Sequence, residues 1–173
     1  MKKSLLALLM IVFVFSCSKK GDDSGSNDVV TDGDKEFVSK AAMANNAEIE
    51  LGELSISQAT NVDIRNYSRS MVAEHTDIQT QLSNLATALS ITIPTTMDDA
   101  HIALKNQLMG LSGRAFDSTY IKNQKKDHED MIALFENQVS VGGNGNLKNF
   151  ASSTLPKLRM HLESANNLAA LFP

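Results

Sequence analysis

The chain has one cysteine, no tryptophan, two tyrosines and three prolines in 173 residues. A single cysteine excludes an internal disulfide framework, a CxxC redox pair and a cysteine-rich zinc site. Positive charge is also scarce: 16 basic side chains stand against 20 acidic ones, a net charge of −4. Without a basic excess or a basic stripe, nucleic acid is not an expected partner. There is no phosphate-cradling glycine loop, no nucleophile elbow and no second histidine one turn after "HED" to make a zinc-protease motif. The common catalytic signatures are therefore missing.

The N-terminus carries an address. Lys2 and Lys3 precede an apolar run from Leu5 to Phe15, which is shorter than the roughly 20 residues a membrane-spanning helix needs and fits a secretory signal. The lone cysteine follows at once in Val14-Phe15-Ser16-Cys17. "VFSC" resembles a bacterial lipobox, which implies cleavage after residue 16 and a diacylglycerol on Cys17. Residues 17–33, rich in Gly, Ser, Asp and Asn, read as a solvated tether. Cleavage removes two basic side chains and no acidic one, leaving a net charge of −6. The expected location is the bacterial cell envelope, anchored through lipid to a membrane, with the outer membrane favoured.

Residues 34–173 suffice for one domain with a real core. Apolar residues recur there at helical spacing, and no stretch alternates with period two. The pattern predicts helices at about 35–59, 62–89, 114–139 and 146–172, with a shorter connecting piece at about 98–110. Breaks fall at "ITIPTT", "LSGR" and "VGGNGN". The fold class is all-α: an up-down four-helix bundle with a short extra connecting helix.

Each long helix carries one ionisable residue on its apolar face, near mid-length. They are Glu48, His75, His128 and His161. Glu48 lies about 20° from the apolar direction of its helix, and His128 about 40° from that of its own. Mid-helix residues of antiparallel neighbours meet at one height, so the four can converge. Imidazole and carboxylate suit one zinc, iron or copper ion, with Asp127 orienting a histidine from outside. The same four also suit a buried hydrogen-bond network, extended by Tyr67 or Tyr120. A di-iron centre is not expected, because Lys125, Val72 and Leu158 stand where Glu-x-x-His pairs need carboxylates. His101 has no assigned role, and Met71 and Met131 read as packing.

Longer stretches resemble a known family. "AEIELGELS", "MVAEHT", "LSGRAFDSTYIKNQKKDHE" and "LPKLRMHLESA" are similar to the bacterial family called domain of unknown function 4142, over roughly residues 35–172. The resemblance implies a ferritin-like four-helix bundle, exported and often membrane-tethered, with no established activity. Glu48, His75, Asp117, Tyr120, Asp127, His128 and His161 match positions shared in that family.

The expected function is thus a lipid-anchored binding module with a buried His/Glu cluster suited to one transition-metal ion. One alternative is a non-metal structural or interaction module, with stretches such as 122–126 meeting an envelope protein. Another is a metal-dependent oxidoreductase acting on a small oxidant. No catalytic residue is assigned.

Overall fold

A computed structural model describes residues 29–173, of which most fold into five helices: α1 Asp32–Gln58, α2 Val62–Ala88, α3 Asp99–Met109, α4 Gly113–Val141 and α5 Gly145–Ala169. No strand occurs among the described residues. The signal segment, Cys17 and most of the tether lie outside them. None of the described helices is long and apolar enough to cross a membrane.

Helix ends follow local side-chain chemistry. Thr31 and Asp34 form a reciprocal capping box, which starts α1 at Asp32, inside the stretch expected to be tether. Asn61 caps α2, Asp98 caps α3 and Asn144 caps α5, each side-chain oxygen accepting from orphan backbone amides. Gly113 opens α4 at φ +57°, a conformation natural to glycine.

Neighbouring long helices pack as α1–α2, α2–α5, α5–α4 and α4–α1. Polar crosslinks fix their directions. Asp117 at the start of α4 accepts from Thr60 and Asn61 in the α1–α2 turn. Asp34 at the start of α1 accepts from Gln138 near the end of α4 and from Gly143 and Asn144 beyond it. The α2 and α4 helices therefore run parallel, and residues 89–112 cross the length of the bundle to join them. Simple up-down-up-down alternation gives way to a single long crossover, the connectivity of ferritin-like bundles. Part of that crossover is pinned to α1, where the Asn46 amide donates to the Pro94 and Thr96 carbonyls.

The core has two apolar blocks. One gathers Phe37, Leu82, Phe135, Phe150 and Leu158, with Phe37 and Phe135 edge to face at 5.0 Å. The other gathers Leu51, Ile64, Phe116, Ile121 and Phe172. Along every long helix the switch between blocks falls at the polar mid-helix position: Asn45 to Glu48, His75, Gln124 to His128, and His161. A polar layer thus divides the core at mid-height.

Candidate metal centre

All four mid-helix residues named from periodicity are buried: Glu48, His75, His128 and His161. The three imidazoles, one each from α2, α4 and α5, form a nearly equilateral group with ring centroids 5.2–5.5 Å apart. One ring nitrogen of each lies within 4.8 Å of the other two.

Hydrogen bonds on the outer edges decide where the protons sit. His75 Nδ1 is 2.9 Å from Asn45 Oδ1, and that amide is oriented by Asn45 Nδ2 donating to Gln79 Oε1. His128 Nδ1 is 2.9 Å from the Gln124 carbonyl. His161 Nε2 is 3.2 Å from Glu74 Oε2. Each of these partners is an acceptor, so each facing ring nitrogen is the one that carries hydrogen. The remaining nitrogens, His75 Nε2, His128 Nε2 and His161 Nδ1, are left with lone pairs. His75 Nε2 has no hydrogen-bond partner. His128 Nε2 and His161 Nδ1 stand 3.2 Å apart.

The rings are held neutral. Burial, followed by the neighbouring His128 and His161, drives His75 well below the usual histidine range. Burial lowers His128 against the opposing pull of the Gln124 carbonyl and Asp127. Burial and His128 lower His161 to about 4, although Glu74 opposes them. Three lone pairs thus meet in a buried layer with no proton to share at neutral pH. Nitrogens bound about 2.0–2.1 Å from a tetrahedral ion lie roughly 3.3 Å from one another, close to the His128–His161 separation. The donor set fits such an ion, and the outer acceptors are the partners that ligating histidines require.

The two carboxylates expected at this site stand elsewhere. Glu48 approaches His128 from the Nδ1 edge, with Oε1 3.7 Å from that nitrogen, and is not among the converging donors. The reason is topological. The α1 helix borders α2 and α4 but lies diagonally across from α5, so its side chain meets the near edge of the His128 ring. Burial, and then the charge of Asp127, pushes Glu48 up to about 8, which leaves it protonated at neutral pH. Asp127 does not orient a histidine of the cluster. One position before His128 on α4, it is rotated by about 100° and meets Asn123 and His101 Nε2, the latter at 3.5 Å.

Sequence reading missed Asn45, Glu74 and the Gln124 carbonyl, which hold the three rings. It also left His101 without a role. In the fold His101 joins α3 to α4, with Nδ1 2.7 Å from Asp98 and Nε2 facing Asp127. The hydrogen bond to Asp127, opposed by burial and aided by Asp98, raises His101 to about 9. The Asp98-x-x-His101 spacing at a helix start was the available signal. Asn45 and Glu74 offered none, because their partners come from other helices.

Tyr67 donates to Gln124 Oε1, and Ser68 joins Ser55 and Tyr120, so the polar layer continues toward the α1–α2 turn. No curated protein and no solved structure matches the chain. The family described as "Domain of unknown function (DUF4142)" matches residues 21–168, which span α1 to α4 and all but the end of α5, and the chain belongs to that family.

Proposed function

We propose that this protein is a lipid-anchored module of the bacterial cell envelope that holds one zinc, iron or copper ion on His75, His128 and His161. The observation that carries the reading is the proton arrangement: every ring N–H is committed to an outer acceptor, so three lone pairs face a common centre. A self-contained hydrogen-bond network would instead turn at least one N–H inward. Three neutral ligands leave a further coordination position for water or another donor. The envelope location is supported by the signal-like N-terminus and by Cys17 in its lipobox-like setting.

Elemental analysis of protein purified without chelators or a histidine tag tests the metal reading. About one equivalent of a single transition metal is expected, absent from the His75→Ala, His161→Ala variant at unchanged helicity by circular dichroism. Metal-free protein that also refuses added zinc, iron and copper would end it. For the anchor, Cys17→Ser is expected to release the protein from the membrane fraction; retention there would remove the lipid from the account.

A further inference from the structure

The three cluster histidines are not equally enclosed. His75 and His128 expose no surface, whereas His161 keeps 4 % of its own. His161 also borders a groove of about 550 Å³ between α2 and α5. Tyr67, Met71 and Glu74 line it from α2, and Met160, His161 and Ser164 line it from α5. Among the described residues, the walls of the cleft between α1, α3 and α4 and of the hollow beside Arg114 and Phe172 include no cluster histidine.

Charge in this groove has one sign. Among the described residues lining it, Glu74 is the only carboxylate, and there is no lysine or arginine. Lys157 approaches Glu74 at 3.6 Å, but it is shared with Asp77 at 3.8 Å, so two carboxylates meet one ammonium there. The Glu74 side chain is 36 % exposed, and its Oε2 lies 3.2 Å from His161 Nε2. The other edge of the same ring stands 3.2 Å from His128 Nε2. The His161 ring is thus the partition between groove and centre. A carboxylate oxygen beside an imidazole is a donor pair that zinc, iron and copper all accept.

We infer that the α2–α5 groove is the port through which the metal ion enters and leaves, with Glu74 as the first ligand it meets and His161 as the ring that passes it inward. This port presupposes the metal centre proposed above and gives it a route. A groove whose only formal charge is a carboxylate raises the local concentration of cations at its mouth. One mobile side chain then suffices, because His161 already reaches both the carboxylate and the centre. His75 and His128 are enclosed and stay tied to Asn45 and to the Gln124 carbonyl.

The test follows uptake and release of zinc, iron(II) and copper(I), each alone, by the full chain stripped of metal, using stopped flow with a chromophoric chelator. Ser164→Phe puts a ring into the groove without removing a ligand or an outer acceptor. It is expected to slow uptake and release by the same factor, about tenfold, at unchanged affinity, because an obstructed route alters both rates equally. Should that variant fail to fold, Ser70→Phe obstructs the groove from the α2 side with the same expectation. Ala100→Phe, which crowds the α1–α3–α4 cleft instead, is expected to leave both rates as in wild type. Glu74→Gln is expected to slow uptake about tenfold, in addition to weakening the bound state. Wild-type rates in the folded groove variants, equal slowing in Ala100→Phe, or unaltered uptake in Glu74→Gln would each overturn the port while leaving the metal centre standing. A wild-type chain that takes up none of the three ions would overturn the centre and the port together.

Discussion

His128 Nε2 and His161 Nδ1 face each other 3.2 Å apart across the α4–α5 interface, and the hydrogen of each ring is engaged on its opposite edge. Two lone pairs held so close in a buried layer repel unless a cation lies between them. That tension links the fold to the proposed chemistry, and the partners that create it can be altered one at a time.

Asn45 and Glu74 set the ring tautomers without belonging to the converging donors. Replacing Asn45 by Leu frees His75 to move its proton to Nε2, and Glu74→Gln weakens the acceptor on His161. Each change is expected to lower metal affinity by about 10- to 100-fold, read by competition with a chromophoric chelator. Affinities equal to wild type in both variants would show that the outer acceptors do not govern the site.

The metal-free protein should be most stable near neutral pH. The three cluster histidines bind fewer protons when folded than when unfolded, because their values lie below the ordinary 6.5. Their contribution is therefore present above 6.5 and is lost as pH falls toward 4. Glu48 and His101 have the opposite sign. Folding raises them to about 8 and about 9, from 4.5 and 6.5, so their contribution is full in acid and is lost as pH rises through the folded values. Between 4.5 and 6.5 the single Glu48 offsets part of the histidine loss. Urea midpoints from pH 4 to 9 should trace a dome whose alkaline limb flattens in His101→Gln; a midpoint climbing steadily to pH 9 would contradict it.

Asp34 is a buried crosslink. Its carboxylate accepts five hydrogen bonds, from the Thr31 amide and hydroxyl, the Gln138 amide and the backbone of Gly143 and Asn144. Burial acts to raise this group, yet the donors, Gln138 foremost, hold it below the usual aspartate value. Removing the carboxylate strands several donors and unties α1 from the α4–α5 turn. Asp34→Ala is expected to cost roughly 3 kcal/mol or more by urea unfolding. A loss under about 1 kcal/mol would show that solvent replaces the network.

Gly52 lies at a close approach of α1 to α2. A Cβ there would sit 2.7 Å from Val72 Cγ2 and 3.5 Å from the Ser68 carbonyl. Alanine gains about 0.5–1 kcal/mol of helix propensity, but overpacking costs typically 1–3 kcal/mol. Gly52→Ala is therefore expected to destabilise by about 1 kcal/mol, with much of the loss recovered on adding Val72→Ala. Thermal unfolding of the single and double variants reads both outcomes, and a stabilised single variant would mean that the helices part easily.

The helices, their approximate ends and the inward direction of His75, His128 and His161 were legible from the chain alone. These are properties of local periodicity: about 100° per residue fixes which side chains share a face, and capping residues such as Asn61 and Asp98 mark the starts. Family membership too is carried by sequence. The proton positions on the three rings were not legible, because they depend on Asn45 of α1 and Glu74 of α2 meeting rings borne by other helices. Nor was the separation of Glu48 and Asp127 from the three histidines. Helical direction tells which way a side chain leaves its own axis. Which edge of a neighbour's ring it reaches depends on how four helices are arranged around a common core and on a crossover that sets α2 parallel to α4. That arrangement is a tertiary outcome, and it turned one expected four-residue cluster into a three-nitrogen centre on one side of His128 with Glu48 on the other.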